Sequence, residues 1–344
     1  MEAKNFLRIF ILFIFAGSLF LTSCVKEGPM GLAGADGKDG VDGIDGASGT
    51  ASCLACHNST KKATVANQYS ISDHLKGTAI NSGGLRAGCT TCHSHEGFVA
   101  AMDMGIKTLT ADLTRSSAFK CETCHTNHQT FDFNTDGPDY ALRTVAPVKL
   151  FINTSVVLDM GKSSNLCVEC HQPRAVAPTP DANGNFQVTS SHYGPHYGPQ
   201  SVVVEGIWGY HYVGGTTAYP GRATHAHRKN ASCTSCHMHA PSGTNGGHTW
   251  NVGVESCKSC HSDANTLDYK GIKTEVAGLM NTLKTKLTEK GALNASGSPV
   301  AGTYPIAVAG ALFNYRLLYG DHSNGIHNPS YTKALLKNSI EALN

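Results

Sequence analysis

The most regular pattern of apolar side chains lies near the C-terminal end of the chain. Apolar residues recur there at intervals of three or four, namely Ile272, Val276, Leu279, Leu283 and Leu287. This spacing places them on one face of a helix, and Gly291 follows as a stop signal. The pattern also predicts a second helix around Val308–Leu318 and a third around Tyr331–Leu343, just after Pro329. Elsewhere glycine and turn residues are frequent, so we expect short helices joined by extensive loops.

The N-terminal residues form a targeting signal rather than part of the fold. Lys4 and Arg8 precede an apolar run from Ile9 to Leu21, which is short for a membrane helix and typical of a signal peptide. The run ends in Leu-Thr-Ser-Cys at 21–24 and resembles the lipobox of bacterial lipoproteins. That resemblance implies cleavage after residue 23 and lipidation of Cys24. An ordinary cleaved signal with an incidental cysteine is the alternative.

A glycine at every third position marks the segment that follows Cys24. The glycines are Gly28, Gly31, Gly34, Gly37, Gly40, Gly43, Gly46 and Gly49. The pattern resembles a short collagen-like Gly-X-Y tract. Pro29 is its only proline, and four Y positions hold aspartate. We therefore favour an extended spacer over a triple helix for 24–50, and assign 51–344 to the functional domain.

Composition narrows the class of protein. The 27 basic and 25 acidic residues nearly balance, so we expect no nucleic-acid partner bound through bulk positive charge. An apolar content of 40% argues against a disordered chain. Beyond residue 24 there is no apolar run of membrane-spanning length.

Twelve of the 13 cysteines form six pairs with two residues between them, and a histidine follows each pair directly. The pairs are Cys53/Cys56, Cys89/Cys92, Cys121/Cys124, Cys167/Cys170, Cys233/Cys236 and Cys257/Cys260, followed by His57, His93, His125, His171, His237 and His261. Cys-x-x-Cys-His is the attachment motif of c-type haem: the two thiols form thioethers, and the histidine becomes the proximal iron ligand. Disulfides or zinc sites would not require a histidine after every pair. We therefore expect six covalently bound haems.

Six porphyrins are too many for a chain of this length to bury one by one. We therefore expect a mainly α fold with extensive loops, organised around a stacked chain of six haems that supply its core. The C-terminal helices would clamp this core or pack on a partner.

Twelve further histidines are available to ligate the second axial position of each iron. The candidates with the most informative context are His74, His128, His192, His196, His225, His248 and His327. Gly325 and Pro329 predict a fixed turn around His327 that points its imidazole back onto a haem.

Several blocks of the chain resemble the nitrite reductase and hydroxylamine oxidoreductase superfamily of multihaem cytochromes. They are 192–200, the Cys-His-Met run ending at Met238, Gly-Gly-His-Thr at 246–249, and Gly-Ile-His-Asn-Pro at 325–329 with Tyr331. The resemblance extends from Cys53 to Leu343 and includes electron-transfer members from metal-respiring bacteria. It implies closely spaced, mostly bis-histidine haems, with His248 and His327 as distal ligands. Ammonia-forming nitrite reductases usually have Cys-x-x-Cys-Lys at the active haem, whereas all six motifs here end in histidine.

We therefore expect an electron carrier of anaerobic respiration or extracellular electron transfer, with no catalytic residues. Its partners would be other cytochromes, a quinol-oxidising complex or an extracellular acceptor, and it could form homo-oligomers. The lipobox and Val25-Lys26-Glu27 favour an exported protein anchored to the outer membrane, with the cell surface as a further expectation. The alternatives are a reductase of nitrite, hydroxylamine or a similar oxyanion, and a subunit of a cytochrome filament.

Overall fold

Short helices dominate the N-terminal part of this computed structural model, which describes residues 51–78, 82–131 and 139–344. They are α1 (Ala51–His57), α2 (Ser59–Ser70), α3 (Asp73–Lys76), α4 (Ala87–His93), α5 (His95–Met104) and α6 (Cys121–Cys124). Cys24 and the glycine-repeat segment lie outside the described residues. Among the helices that are described, none is both long and apolar enough to span a bilayer.

The middle of the chain continues with short helices and two small antiparallel pairs of strands. The helices are α7 (Ser163–Val168), α8 (Gln200–Glu205), α9 (Ala226–Asn230), α10 (Cys233–His237) and α11 (Glu255–Lys258), with 3-10 turns at Gly247–Thr249 and Tyr269–Gly271. Strand β1 (Val148–Lys149) pairs with β2 (Val157–Leu158), and β3 (Asn185–Val188) pairs with β4 (Gly302–Pro305). The second pair ties the middle of the chain to its C-terminal helices.

Three longer helices form the C-terminal part: α12 (Ile272–Glu289), α13 (Ile306–Asp321) and α14 (Pro329–Ala342). These confirm the three predicted helices, and α14 begins at Pro329 itself because proline suits the first helical position. Helix α12 is amphipathic, whereas α13 has twelve of its sixteen residues buried. A helix that is apolar on every side must be surrounded, and α12, α14, β3 and β4 all contact it.

A loop at 206–219 is fixed against α13 and α14 by buried polar side chains. The Asn314 side chain accepts a hydrogen bond from the Tyr210 backbone N–H (2.7 Å) and donates one to its carbonyl (2.9 Å). The Tyr331 hydroxyl accepts from the Gly209 N–H at 2.8 Å, and the side-chain oxygen Oδ1 of Asn338 accepts from the Thr217 N–H at 3.0 Å. Because buried polar groups need partners, these bonds specify the path of the loop.

The apolar core is distributed unevenly along the chain. Of the 31 buried apolar residues in the described part, only Phe98, Ala101, Leu109 and Ala141 precede Val148. The remainder lie from Val148 to Leu343, mostly in one cluster around α12, α13 and α14. The expectation that haem supplies the whole core is therefore wrong for the C-terminal part, which has a core of protein side chains. The N-terminal part, with its three motifs, has almost none.

Candidate haem centres

Local helical geometry places the three functional residues of each motif on one side of the backbone. In the third, fourth and sixth motifs the histidine N–H donates to the carbonyl of the first cysteine, as His125 does to Cys121 at 2.9 Å. The same bond joins His171 to Cys167 (2.9 Å) and His261 to Cys257 (2.8 Å). Residues at i, i+3 and i+4 share a helix face. Both thiols and the imidazole of a motif can therefore reach one porphyrin.

Each motif histidine faces a second histidine from elsewhere in the chain. The ring centroids are 6.0 Å apart for His57 and His128, 6.1 Å for His93 and His196, and 6.2 Å for His125 and His248, His171 and His74, His237 and His327, and His261 and His227. The six separations are almost identical, although the pairs come from unrelated loops and helices. A shared geometric requirement accounts for such uniformity better than side-chain packing does.

Two imidazoles on opposite sides of one iron satisfy that requirement. A metal–imidazole bond of about 2.0 Å, with about 1.1 Å more from the nitrogen to its ring centre, separates two axial rings by about 6.2 Å. The observed separations of 6.0 to 6.2 Å match this value. Direct packing of two rings tolerates a wider range, about 4.5 to 7 Å. The residues present therefore fit haem with two histidine ligands at every motif.

Hydrogen bonds fix the orientation of at least five of these rings. The Nδ1 atoms of His125, His227 and His237 lie 2.7 to 2.8 Å from the carbonyl oxygens of Tyr140, Ile326 and Trp250, respectively. Two further rings have side-chain oxygens as partners. His171 Nδ1 lies 2.9 Å from Gln200 Oε1, and His327 Nδ1 lies 2.6 Å from Asp321 Oδ1. An Nδ1–H that donates to an oxygen leaves Nε2 unprotonated, and an unprotonated nitrogen can bind iron.

Burial favours the neutral form of several of these rings. It lowers the pKa of His74 to about 4, and nearby His171 and His237 lower it further. Burial is also the main cause of the lowered pKa of His171, His237 and His248. A neutral imidazole retains the lone pair that a metal ligand needs. His327 is different: burial alone would lower its pKa, but the Asp321 carboxylate outweighs burial and raises it.

Five of the seven distal candidates from the sequence lie opposite a motif histidine: His74, His128, His196, His248 and His327. The turn before His327 also has the expected form. Gly325 has a φ of +88°, and a Cβ there would lie 2.7 Å from Cγ2 of Val276.

The other two candidates, His192 and His225, occupy different places. His192 lies in an exposed turn, where its backbone N–H donates to Ser190 Oγ at 3.2 Å. His225 caps the N-terminus of α9, and its Nδ1 accepts from the His227 N–H at 3.2 Å. The residue that faces His261 is His227, which sequence reasoning missed. The only signal was the run His-Ala-His, which does not distinguish its two histidines.

The motif cysteines also differ in how far the protein encloses them. The Cys56 side chain is exposed. Cys56 lies on α1, the first described helix, where no residue from 53 to 57 is buried and Leu54 is 51% exposed. Cys121 and Cys260 are exposed as well, whereas the other nine motif cysteines are partly buried. Attachment of haem to Cys56 stays a prediction.

Contacts between motifs show which candidate sites are neighbours. The Cys167 and Cys233 side chains are hydrogen-bonding neighbours, and the Thr234 hydroxyl lies 3.3 Å from the hydroxyls of both Ser163 and Ser164. The fourth and fifth motifs therefore adjoin. Cys92 and Cys170 make the corresponding contact between the second and fourth motifs.

Further contacts extend this set of neighbours. The His95 ring Nδ1 beside the second motif is 2.8 Å from the Thr123 hydroxyl of the third. His128, which faces the first motif's histidine, lies only three positions after His125 of the third. Charge interactions place Cys236 of the fifth motif near the cysteines of the sixth. All six candidate sites thus form one continuous series.

Trp250 lies at the centre of this series. Its ring centroid is 4.4 Å from that of His74 and 5.4 Å from that of His248, and its carbonyl oxygen is 2.8 Å from His237 Nδ1. The backbone adopts a φ of +57° at this residue, directly after the Gly247–Thr249 turn. One residue thereby helps to position ring ligands of the third, fourth and fifth motifs.

The curated proteins that this chain resembles in sequence are polyheme c-type cytochromes. None of the available protein-family models matches the chain. The C-type polyheme cytochrome OmcC of Geobacter sulfurreducens is 27% identical over 285 residues, which covers 64% of this chain and 36% of the relative. The C-type polyheme cytochrome OmcB of the same species is 26% identical over 282 residues, or 64% of this chain and 37% of the relative. The match therefore spans just over a third of these curated relatives.

A solved structure shares the fold. The outer cell wall cytochrome OcwA aligns with 81% of this chain and 50% of its own, with a TM-score of 0.51 and 20% sequence identity. At that identity the likeness concerns the fold alone. The homology to polyheme cytochromes and the cytochrome fold together support the assignment of this chain as a multihaem c-type cytochrome.

Proposed function

We propose that residues 51–344 hold six c-type haems, each with two histidine ligands, and serve as an electron carrier. The observation that carries this proposal is the 6.0 to 6.2 Å separation between each motif histidine and a facing histidine. Haem bound in this way supplies an iron centre that takes up and releases one electron. The homology to polyheme cytochromes supports the same reading.

The chain's own residues would do three things at each site. The two cysteine thiols would attach the porphyrin covalently, and the paired histidines would ligate the iron. Oxygen atoms that accept from the ring Nδ1–H, such as those of Tyr140 and Trp250, fix each ring's tautomer and orientation. A rigid, six-coordinate site changes little between oxidation states, which suits electron transfer.

The paired histidines favour a carrier over a reductase of nitrite or hydroxylamine. A haem reductase needs an open iron position for its substrate, and the surrounding pocket decides the reaction. Here every motif histidine faces a second histidine, from His57 and His128 at 6.0 Å in the first site to His261 and His227 at 6.2 Å in the sixth, and the two rings of each pair would occupy both ligand positions of the iron. The close contacts between successive motifs, such as that of Cys167 with Cys233, supply the continuity that electron transfer along the protein requires.

We propose further that the protein acts at the cell envelope, anchored through a lipid on Cys24 with residues 25–50 as a spacer. The lipobox carries this part of the proposal, and several acyl chains give a stable membrane attachment. The structural relative is described as an outer cell wall cytochrome, which agrees with it. Its partners would be other redox proteins or an extracellular acceptor.

Electron paramagnetic resonance of the oxidised protein tests the electron-carrier proposal. We expect all six irons to be low-spin, with a spectrum unchanged by nitrite or hydroxylamine, because both axial positions are held by histidine. His196→Ala provides the positive control, since removal of the ring that faces His93 should create one high-spin site that binds these molecules. A high-spin iron that binds nitrite in the unaltered protein would favour the reductase instead.

Membrane fractionation tests the proposed anchor. We expect Cys24→Ala to move the protein from the membrane fraction to the soluble fraction, because no acyl chain can then be attached to that residue. Ser23→Ala is the matched control: a small residue remains before the cysteine, and membrane association should persist. Unchanged membrane association of Cys24→Ala would place the anchor elsewhere.

A further inference from the structure

Neighbouring candidate sites differ in the group that accepts a hydrogen bond from their histidine. In the fifth motif's site, His327 Nδ1 contacts the Asp321 carboxylate at 2.6 Å, and the carboxylate is only 2% exposed. In the fourth motif's site, His171 Nδ1 contacts Gln200 Oε1 at 2.9 Å. One ring therefore donates to a buried negative charge and the other to a neutral amide.

The two acceptors belong to one hydrogen-bonded unit. The Gln200 Nε2 donates to the carbonyl oxygens of Gly320 (3.2 Å) and Asp321 (3.3 Å), at the C-terminal end of α13. The hydroxyl of Ser323 donates to the second carboxylate oxygen of Asp321. Gln200, which contacts His171, is thus hydrogen-bonded to the backbone of Asp321, which contacts His327. These bonds fix the orientation of both acceptor side chains.

The chemical difference between the acceptors has a definite electronic effect. A carboxylate that accepts the Nδ1–H draws the proton away from the ring and makes Nε2 a stronger donor to a metal. A stronger donor stabilises the ferric over the ferrous state and lowers the reduction potential. A neutral amide does so less, because charge-assisted hydrogen bonds are roughly twice as strong as neutral ones. Burial of Asp321 limits the screening of its charge by water.

We propose that Asp321 and Gln200 set a step in reduction potential between two adjacent haems, with the fifth motif's site lower than the fourth's. The inference rests on the proposed function, since it requires histidine-ligated haem at both motifs. Because the fifth motif lies between the fourth and the sixth, this step falls inside the series of sites. At this step an electron favours the fourth motif's haem, and transfer from the fourth to the fifth is uphill.

The proposal is tested in the mature, haem-loaded protein by replacing the carboxylate with an amide at one site and the amide with a carboxylate at the other. Asp321→Asn keeps an oxygen beside His327 but removes the charge, and it should raise the midpoint potential of one haem in six. Gln200→Glu adds a charge beside His171 and should lower the potential of one other haem. We expect roughly a tenfold change in the reduction equilibrium of the affected site in each case, about 59 mV for one electron. Spectroelectrochemical titration measures the potentials, and electron paramagnetic resonance reports the altered ligand field.

Glu275→Gln is the matched control, because it removes one carboxylate that pairs with Lys333 on the exposed face of α12. It should leave the six potentials unchanged. The proposal is overturned if Asp321→Asn carries six low-spin haems and shows no shift. If that variant does not fold, an unchanged set of potentials in Gln200→Glu overturns it as well. A high-spin iron at these sites in the unaltered protein would instead contradict the proposed function itself.

Discussion

A chain produced without haem attachment is expected to lose the structure of its N-terminal part and to keep its C-terminal helices packed. Only Phe98, Ala101, Leu109 and Ala141 are buried apolar residues before Val148 in the described part. Each fully buried apolar side chain stabilises a fold by about 1.5–3 kcal/mol, whereas ordering each residue costs about 1–2 kcal/mol. Four such residues cannot hold three motif helices and their loops in place.

The C-terminal part has interactions that do not involve any motif. Leu283, Leu312 and Leu335 are completely buried where α12, α13 and α14 meet, and Asn314 fixes the adjoining loop. Hydrogen exchange read by mass spectrometry, compared between haem-free and mature protein, measures the difference. Amides of 51–147 should exchange almost freely without haem, while those of α13 stay protected.

Intact mass provides the control for this experiment, because the mature protein should carry six covalent haems. Equal protection of both parts in the haem-free chain would show that protein contacts alone hold the N-terminal fold. Fewer than six haems in fully matured protein would contradict the motif assignment.

Replacement of His227 by alanine is expected to convert one of six low-spin haems to a high-spin or water-ligated state. His227 faces His261 at 6.2 Å, and its Nδ1 is held by the Ile326 carbonyl oxygen at 2.7 Å. Loss of this strong nitrogen donor should also raise the potential of that haem. Covalent attachment through Cys257 and Cys260 should be unaffected, so intact mass still shows six haems.

His225→Asn is the matched variant, because asparagine can keep the helix-capping acceptor that His225 provides to the His227 N–H. Its electron paramagnetic resonance spectrum should equal that of the unaltered protein. The reverse outcome, with the spectrum changed by His225→Asn and not by His227→Ala, would assign the ligand to His225.

Local patterns in the sequence were sufficient to predict those features that depend on residues close together in the chain. The intervals of three and four between Ile272 and Leu287 predicted α12, and Pro329 indicated the start of α14. The six motifs likewise lie on short helical turns, since residues at i, i+3 and i+4 share a face whatever surrounds them. These features depend on a few consecutive residues, and the sequence by itself determined them.

The pairing of histidines depended on the tertiary structure. His74 faces His171, and His227 rather than His225 faces His261, although spacing along the chain indicates neither pair. The sequence also left open the bridge from Gln200 to Asp321 and the protein core around α13. Such contacts join residues far apart in the chain, and their partners are selected by how loops and helices pack together. Side-chain type shows that a histidine can bind a metal, whereas only the packed fold decides which ring it faces.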